Sequence, residues 1–313
     1  MKKLFLLIIV VSFSVSYSYG QQDPQFTQNM YNKLFPNPAV AGANGSICAT
    51  LLGREQWVGF EGRPQTYLFS IHGPVKLLHG GIGLSIAQDN LAQISDLHLK
   101  ASYSYHHSFP FGEINGGIGL GMVQKTIGTA WIPPTNLPDA QIPVAGIAQS
   151  VFDLDLGVYF SNDKVYAGIS STHVPSATVA EKSAAFRIAR HYYLMAGYSM
   201  PLTQSIELQP SIFVKSDGAH AQMDLNAIAV YNDLFFGGLT YRFQDAVSIM
   251  AGVDYGLSGT GIAGGTLRFG YAYDVTTNKL SSGSTGSHEI VLNYCFNIPK
   301  KMKITRHKSV RYL

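Results

Sequence analysis

The side chains that could perform catalysis or bind a metal are few in this sequence, and their spacing argues against both roles. Asp153 and Asp155 are two residues apart on an alternating segment, so their carboxylates share one side, as a catalytic pair of acids would. No nucleophile accompanies them in a position to use them. His106 and His107 are neighbours and point to opposite faces of a strand, where they cannot share a metal. We therefore expect no enzymatic activity and no metal centre.

One glycine-rich stretch resembles a nucleotide-binding loop in its spacing only. Residues 259–264 match the pattern GxGxxG. A dinucleotide site needs this loop to open a helix, because the amides of the first helical turn bind the pyrophosphate. Here the residues that follow, from Leu267 to Tyr273, alternate between apolar and polar or small side chains and predict a strand. We expect no cofactor and no nucleic-acid partner.

The composition indicates what kind of element carries these side chains. Only 13% of the 313 residues are charged, against roughly 25% in an ordinary soluble domain. After residue 20 there is no uncharged apolar run of the roughly 18 residues that a spanning helix needs. Low charge, 12% aromatic residues and 32 glycines are typical of a β-structure with one face in lipid.

Large apolar residues alternate with small or polar ones over segments of about ten residues, which is the period of a β-strand. In residues 95–109, Leu99 and Tyr103 fall on one face, and Lys100 and Ser104 fall on the other. A soluble β-sandwich also alternates, but its strands average about five or six residues and its exposed face would carry more charge. The pattern predicts an all-β, transmembrane antiparallel β-barrel.

The alternation defines about fourteen strands, and the longest connections fall on one side of the predicted barrel. With the N-terminus in the periplasm, the connections around 131–148, 175–186 and 276–287 face outward, and short turns such as 162–164 face inward. Pro201 and Pro210 conflict with the predicted strands that contain them, because each proline removes a hydrogen-bond donor from the strand ladder. The predicted spans are 46–59, 63–75, 79–90, 95–109, 111–131, 149–162, 165–174, 187–202, 204–217, 220–232, 234–244, 246–256, 266–277 and 286–298.

The two cysteines lie close to the two ends of the predicted barrel. Cys48 is near the start of the first strand and Cys295 near the end of the last. Those strands are neighbours in a closed barrel with an even number of strands, so we predict a disulfide across the closing seam, which an oxidising compartment permits. The alternative is two buried thiols that act as small apolar residues.

The N-terminal region contains two predicted segments. A basic start, a short apolar run and small residues up to Gly20 are typical of a secretory signal peptide over residues 1–20, cleaved between Gly20 and Gln21. Residues 21–45 predict a short helix, which ends at Pro36 and fills the lumen as a plug; a flexible periplasmic leader is the alternative. The candidate plug or partner contacts are Pro24, Phe26, Met30, Phe35, Pro36 and Pro38.

Charge is segregated along the chain. Of the 22 basic residues, two precede residue 20 and six lie in the tail over residues 299–313, which leaves fourteen in the body against nineteen acidic residues, a net charge of −5. The tail could bind an acidic periplasmic partner or anionic head groups, or remain a solvated end. Its bases are Lys300, Lys301, Lys303, Arg306, Lys308 and Arg311.

Several short segments resemble the PorP/SprF family. They cover nearly the whole chain after residue 20 in order, and the clearest departure is Val40, where an aromatic residue is expected. The segments are 23–28 (DPQFTQ), 35–39 (FPNPA), 54–59 (REQWVG), 62–66 (GRPQT), 166–170 (YAGIS), 190–193 (RHYY), 270–274 (GYAYD) and 286–290 (GSHEI).

The resemblance implies an integral outer-membrane protein of the type IX secretion system of Bacteroidetes, in some cases linked to gliding motility. Such a protein either binds the secretion machinery or handles a specific secreted adhesin through the adhesin's C-terminal sorting domain. The resemblance carries over no catalytic residue. An outer-membrane channel for small apolar solutes is the alternative that the predicted barrel leaves open. Domain boundaries on this interpretation are 1–20 for the signal, 21–45 for the plug, 46–298 for the barrel and 299–313 for the tail.

Overall fold

The computed structural model describes residues 23–128, 146–181, 184–257 and 264–297, and fourteen long strands dominate them. The signal cleavage site at Gly20 and Gln21, the basic tail and most of the glycine-rich stretch 259–264 lie outside the described residues. The strands are β1 (Ser46–Glu55), β2 (Gln65–Val75), β3 (Gly80–Leu91), β4 (Ile94–Phe109), β5 (Gly112–Ile127), β6 (Ile147–Ser161), β7 (Val165–Thr172), β8 (His191–Tyr198), β9 (Ile206–Ser216), β10 (Ala221–Tyr231), β11 (Phe235–Arg242), β12 (Ala246–Gly256), β13 (Gly265–Thr276) and β14 (Ser287–Asn297).

Each strand pairs antiparallel with its neighbours in the chain, and β14 returns to pair with β1. The closing register runs from Ser46 opposite Asn297 to Glu55 opposite His288. Closure satisfies the backbone groups that an open sheet edge would leave unpaired in lipid. The prediction of an all-β, closed antiparallel barrel of fourteen strands is confirmed.

The two faces of the wall differ as the alternation predicted. On β4, Leu99 is 39% exposed on the outer face, whereas Lys100 is 4% exposed on the inner face. Large aromatic side chains are exposed outward near both ends of the barrel, as in membrane barrels with an aromatic girdle at each interface. They include Phe109, Tyr231, Phe235 and Tyr255 at the end where β1 begins, and Tyr67, Tyr192, Tyr241 and Phe243 at the other.

We call the end where β1 begins and β14 finishes the terminal end, and the other the distal end. Most described connections at the terminal end are tight turns, and in the one between Tyr231 and Phe235 both Asn232 and Asp233 have φ of 52°, as in a type I′ turn. The distal end has the longest connections beside some short turns, and one of the long ones folds into a small hairpin of Thr178–Glu181 with Ala184–Arg187. Most of the β5–β6 connection lies outside the described residues.

Pro210 lies within β9, where its missing N–H was expected to disturb the ladder. On one side it pairs with Ala227 of β10. On the other side the β8 pairing ends at Ser211 opposite Gly197, and the short pairing of Met200 and Pro201 resumes only at Leu208. The proline therefore lies at an interruption in the ladder, where no neighbouring carbonyl requires its N–H.

The prediction of a helix ending at Pro36 is wrong. Residues 23–45 contain only two 3₁₀ turns, Asn29–Tyr31 and Pro38–Val40. The physical reason is competition, since the backbone amides of Thr27 and Gln28 donate to the Glu289 carboxylate rather than to carbonyls within a helix. Two further 3₁₀ turns, Lys76–Leu78 and Lys279–Ser282, lie in connections. Within the described residues, no helix is long and apolar enough to cross a membrane.

Candidate functional site

The interior of the barrel is occupied by residues 23–45, which we call the N-terminal segment. Its first part, from Asp23 to Asn29, contacts inward-facing residues in the distal half of the wall. Its last part descends to the terminal end, where the Gly42 amide donates to Nδ1 of His72. Residues 34–42 are all buried. The segment is therefore held by specific contacts with the wall.

A group of five charged wall residues, which we call the arginine cluster, binds the middle of this segment. The Glu289 carboxylate accepts the backbone amides of Thr27 and Gln28 at 2.8 and 2.7 Å. The Thr27 hydroxyl donates to Asp274 at 2.8 Å and accepts from Arg54 at 2.8 Å and from Arg242 at 3.1 Å. The cluster consists of Arg54, Asp224, Arg242, Asp274 and Glu289.

All five side chains of the arginine cluster are buried, and its two arginines pair with its three carboxylates. Arg54 pairs with Asp274 at 2.7 Å and with Glu289 at 3.1 Å, and Arg242 pairs with Asp224 at 3.1 Å. A buried charge without a partner is strongly unfavourable, so each arginine depends on the carboxylates that pair with it. The network thus forms a rigid polar surface that fits the backbone of the N-terminal segment.

A second group, which we call the histidine cluster, binds the first described residue, Asp23. The Nε2 and Nδ1 atoms of His173 lie 2.8 Å from Asp23 and 2.9 Å from Asp153. The Tyr193 hydroxyl also donates to the Asp23 carboxylate, and the Asp23 amide donates to Nε2 of His191 at 3.2 Å. The cluster consists of the barrel residues Asp153, His173, His191 and Tyr193.

The electrostatics of the histidine cluster favour an ion pair. Burial raises the pKa of Asp23, but the charge of His173 outweighs it and holds that pKa well below the ordinary value of 3.8. Burial lowers the pKa of His173, yet Asp23 and Asp153 more than compensate and raise it to about 10. His173 is therefore an imidazolium, with Asp23 beside one ring nitrogen and Asp153 beside the other.

Two sets of three donors in this region have the closeness of metal ligands, which the sequence did not indicate. Asp23, His173 and His191 form one, and Asp153, Asp155 and His173 form the other, with all donor atoms of a set within 4.8 Å. Both sets depend on His173. A doubly protonated imidazole has no lone pair for a metal, so these donors are arranged as a salt-bridge network.

Apolar contacts complete the fit of the N-terminal segment. Phe26 and Phe35 pack edge to face with ring centroids 5.7 Å apart, against Leu52 and Val291 of the wall. Met30 packs on a second cluster around Phe236. The other three residues proposed from the sequence also lie inside the barrel: Pro24 borders a small cavity, the Pro36 carbonyl accepts from Ser170 at 2.6 Å, and Pro38 begins the second 3₁₀ turn.

Two wall glycines make room for that second turn. A Cβ added at Gly117 would lie 2.6 Å from the carbonyl carbon of Pro38, and one added at Gly157 would lie 3.0 Å from Cγ of Asn37. The Asn37 amide uses this proximity to donate to the carbonyl of Val158 at 3.1 Å. Glycine is required here because the segment's backbone lies directly on the wall.

Below the segment, toward the terminal end, the lumen holds cavities of about 590 and 340 Å³ that share Met30, Tyr31 and Lys33 in their linings. The Lys33 ammonium lies 3.4 Å from the ring centroid of Tyr166. The Arg268 guanidinium lies 4.0 Å from the Tyr31 ring and donates to Asp254. These cation–π contacts tie the segment to the wall on this side too.

The cysteines meet at the seam. Cys48 and Cys295 are direct partners in the register of β1 and β14, and a disulfide bond joins them. Asp155, considered above as a catalytic acid, pairs with Lys100. His106 faces the interior, and its Nε2 donates to the Ala41 carbonyl at 2.9 Å. Each of these side chains thus has a structural partner.

Sequence reasoning missed the two charged clusters, although one signal was available. Arg54, Arg242, Asp274 and Glu289 all occupy positions that alternate with lipid-facing residues, so each was assignable to the interior. What the alternation could not show is that these residues, contributed by four strands, lie at one height and around one peptide.

These features define a transmembrane β-barrel of the outer-membrane type whose lumen is occupied by its own N-terminal segment. A family profile described as "Type IX secretion system membrane protein PorP/SprF" matches residues 18–294. The chain belongs to the PorP/SprF family of type IX secretion system membrane proteins. No curated protein matches the sequence at a significant level.

Several solved structures share the fold at low sequence identity. A Pseudomonas aeruginosa FadL homologue has 10% identity and a TM-score of 0.51, covering 89% of this chain and 95% of its own. The CymD monoaromatic hydrocarbon channel has 11% identity and a TM-score of 0.53, with coverage of 86% and 93%. The Ralstonia pickettii toluene transporter TbuX has 13% identity and a TM-score of 0.50, with coverage of 86% and 94%. At these identities the likeness shows the fold alone.

Proposed function

We propose that the protein is a non-enzymatic outer-membrane component of type IX protein secretion that binds a protein partner. The observation that carries the proposal is the occupied lumen. The N-terminal segment is held by two buried charged clusters and by apolar contacts at Phe26 and Phe35, which is the arrangement of a plug. A barrel closed in this way serves as a docking body better than as an open pore.

The proposed orientation puts the terminal end in the periplasm. Outer-membrane barrels keep short turns on that side and longer connections outside. The turn at Asn232 and Asp233 and the hairpin formed by Thr178–Glu181 and Ala184–Arg187 have the corresponding lengths and positions. In this orientation the basic tail follows β14 into the periplasm, where it is available to the secretion machinery.

Partner contact is proposed at the distal connections and the basic tail. The six N-terminal candidates, from Pro24 to Pro38, are engaged with the barrel wall and are therefore poor sites for a partner while the plug is docked. Two partners fit the family. One is the periplasmic secretion machinery, and the other is the C-terminal sorting domain of a secreted surface adhesin, such as one used in gliding motility. The tail suits an acidic partner of the first kind.

Deletion of the gene, followed by comparison of the secreted and surface proteins, tests this function. Loss of one adhesin points to a cargo-specific role, and loss of all type IX cargo points to a role in the machinery. Complementation with a chain lacking residues 300–313 separates the tail from the barrel. Normal secretion of every cargo protein in the deletion strain would refute the proposal.

A second candidate, a channel for small apolar solutes, is favoured by the fold shared with a monoaromatic hydrocarbon channel and a toluene transporter. The interior of the barrel argues against a channel for apolar solutes, because buried charges such as Arg242, Asp274 and Glu289 surround the plug and, among the described residues, no apolar path is formed there. Uptake of toluene by liposomes that contain the purified protein is the discriminating measurement. Uptake above that of empty liposomes would support the channel.

A further inference from the structure

The contacts of residues 23–28 have the composition of a peptide-binding site. Wall side chains bind the backbone at several places: Glu289 accepts from the amides of Thr27 and Gln28, and Arg242 donates to the Phe26 carbonyl at 3.4 Å. At Asp23, Lys215 donates to the carbonyl at 2.9 Å and His191 accepts from the amide. Backbone contacts of this kind recognise an extended peptide independently of most of its side chains.

Three side chains of the segment are recognised specifically. The Asp23 carboxylate meets the imidazolium of His173 and the Tyr193 hydroxyl. Phe26 fills an apolar pocket, and the Thr27 hydroxyl is held between two arginines and a carboxylate. The site therefore selects a carboxylate, then an aromatic ring three residues later, then a hydroxyl.

The segment is bound in a way that permits exchange. It precedes β1, so it can leave without disturbing any strand pairing, and among the described residues its stretch from 23 to 28 makes no backbone-to-backbone bond with a strand. Its fit is also incomplete. Within the same part of the chain, Oε1 of Gln25, Oε1 of Gln28 and both amide atoms of Asn32 are buried without a hydrogen-bond partner from the protein. Such unpaired polar atoms weaken the bound state.

We propose that the distal half of the lumen is a peptide-binding site that residues 23–28 occupy in cis, and that an extended partner peptide of the same chemistry replaces them. The ligand is a segment with an acidic residue, a phenylalanine three positions later and then a hydroxyl residue. This inference rests on the proposed role in protein secretion, in which the barrel meets a protein partner, and it names the chemistry of the partner's docking segment.

The test uses the full-length protein in detergent and a fluorescent synthetic peptide corresponding to residues 22–32. The Phe26→Ala chain has lost the aromatic anchor of its own segment and should bind the peptide at least about tenfold more tightly than the wild-type chain, in which the plug competes. Adding Glu289→Gln to Phe26→Ala should weaken that binding by at least about tenfold, because the peptide loses the same contacts of its Thr27 and Gln28 amides. Fluorescence anisotropy measures both.

A peptide with alanine at position 26 is the matched control and should bind neither chain. Circular dichroism and heat-modifiable gel mobility check folding, and Thr27→Val, which removes the hydroxyl but keeps the shape, serves as the second variant. Equal affinity for wild-type and variant chains, equal binding of the control peptide, or no binding by any folded variant would overturn the inference. The secretion phenotype of the deletion strain is independent of these results, so the two proposals fail separately.

Discussion

Replacing Glu289 with glutamine tests whether the arginine cluster holds the N-terminal segment in the lumen. The carboxylate accepts two backbone amides and pairs with Arg54 at 3.1 Å, and the side chain is fully buried. Glutamine has the same size but only one acceptor oxygen, so its own amide group must face one of the two backbone donors.

The magnitude follows from these contacts. One buried N–H left without a partner costs about 1–3 kcal/mol. The Arg54–Glu289 pair joins two residues of the wall, so its loss affects the docked and undocked barrel alike, and Arg54 keeps Asp274 as a partner at 2.7 Å. The upper end of the range of about 1–3 kcal/mol applies to docking because the second amide also exchanges a charged acceptor for a neutral one. We therefore expect docking of the segment to weaken by about 3 kcal/mol, or roughly 100-fold in its equilibrium constant. The strands remain paired, since their ladders do not involve this side chain.

Hydrogen–deuterium exchange of the peptide that covers residues 23–33 measures the effect. Exchange in Glu289→Gln should be about 100-fold faster than in the wild type, while the strand peptides stay protected. The control is Glu55→Gln on β1: Glu55 pairs with Arg63, and both side chains are over 30% exposed, so the loss should be about 1 kcal/mol at most. Exchange of the segment within about threefold of the wild-type rate would refute the argument.

Three other predictions concern the glycine-lined wall, the seam and the histidine cluster. Gly117→Ala should destabilise docking by about 1–3 kcal/mol, seen as faster exchange of the segment, whereas Gly116→Ala, whose added Cβ meets nothing within 4 Å, should have no effect. The unreduced, denatured protein should yield no free thiols, and two labelled thiols before reduction would contradict the disulfide bond. Serine at both Cys48 and Cys295 should lower the free energy of unfolding by at most about 5 kcal/mol, because the bond spans 247 residues. Asp23→Asn should reduce the free energy of unfolding most at pH 4–6.5. The contribution of the Asp23–His173 pair is lost in acid as the carboxyl protonates below 3.8, and in base as the imidazolium, with its pKa of about 10, deprotonates. A difference in melting temperature between the wild type and the variant that is constant from about pH 4 to 10.5 would exclude the pair.

Much of the barrel could be predicted from the sequence because successive residues of a membrane-spanning strand face lipid and lumen in turn, which fixes the polarity of every second residue. The alternation of Leu99 with Lys100 gave the inward and outward faces of β4 correctly, and the positions of the two cysteines placed them at one seam. The strand boundaries were close for the same reason: the lipid fixes the length of each strand.

The local structure of the N-terminal segment was not predictable in the same way. The spacing of Phe26, Met30 and Leu34 is that of a helix, and in isolation nothing opposes one. In the folded protein, wall side chains take up the backbone groups of Thr27 and Gln28 that a helix would use. A preference carried by a few residues is weak compared with several buried, charge-assisted hydrogen bonds.

The sequence by itself determined the class of fold, the number of strands, the face on which each residue lies and the family, because these depend on period, composition and local motifs. Only the tertiary structure decided that Arg54, Arg242, Asp274 and Glu289 surround one short peptide, and that His173 bridges Asp23 and Asp153. Those contacts join residues up to 262 positions apart. Their heights depend on the stagger between strands, which is a property of the closed barrel as a whole.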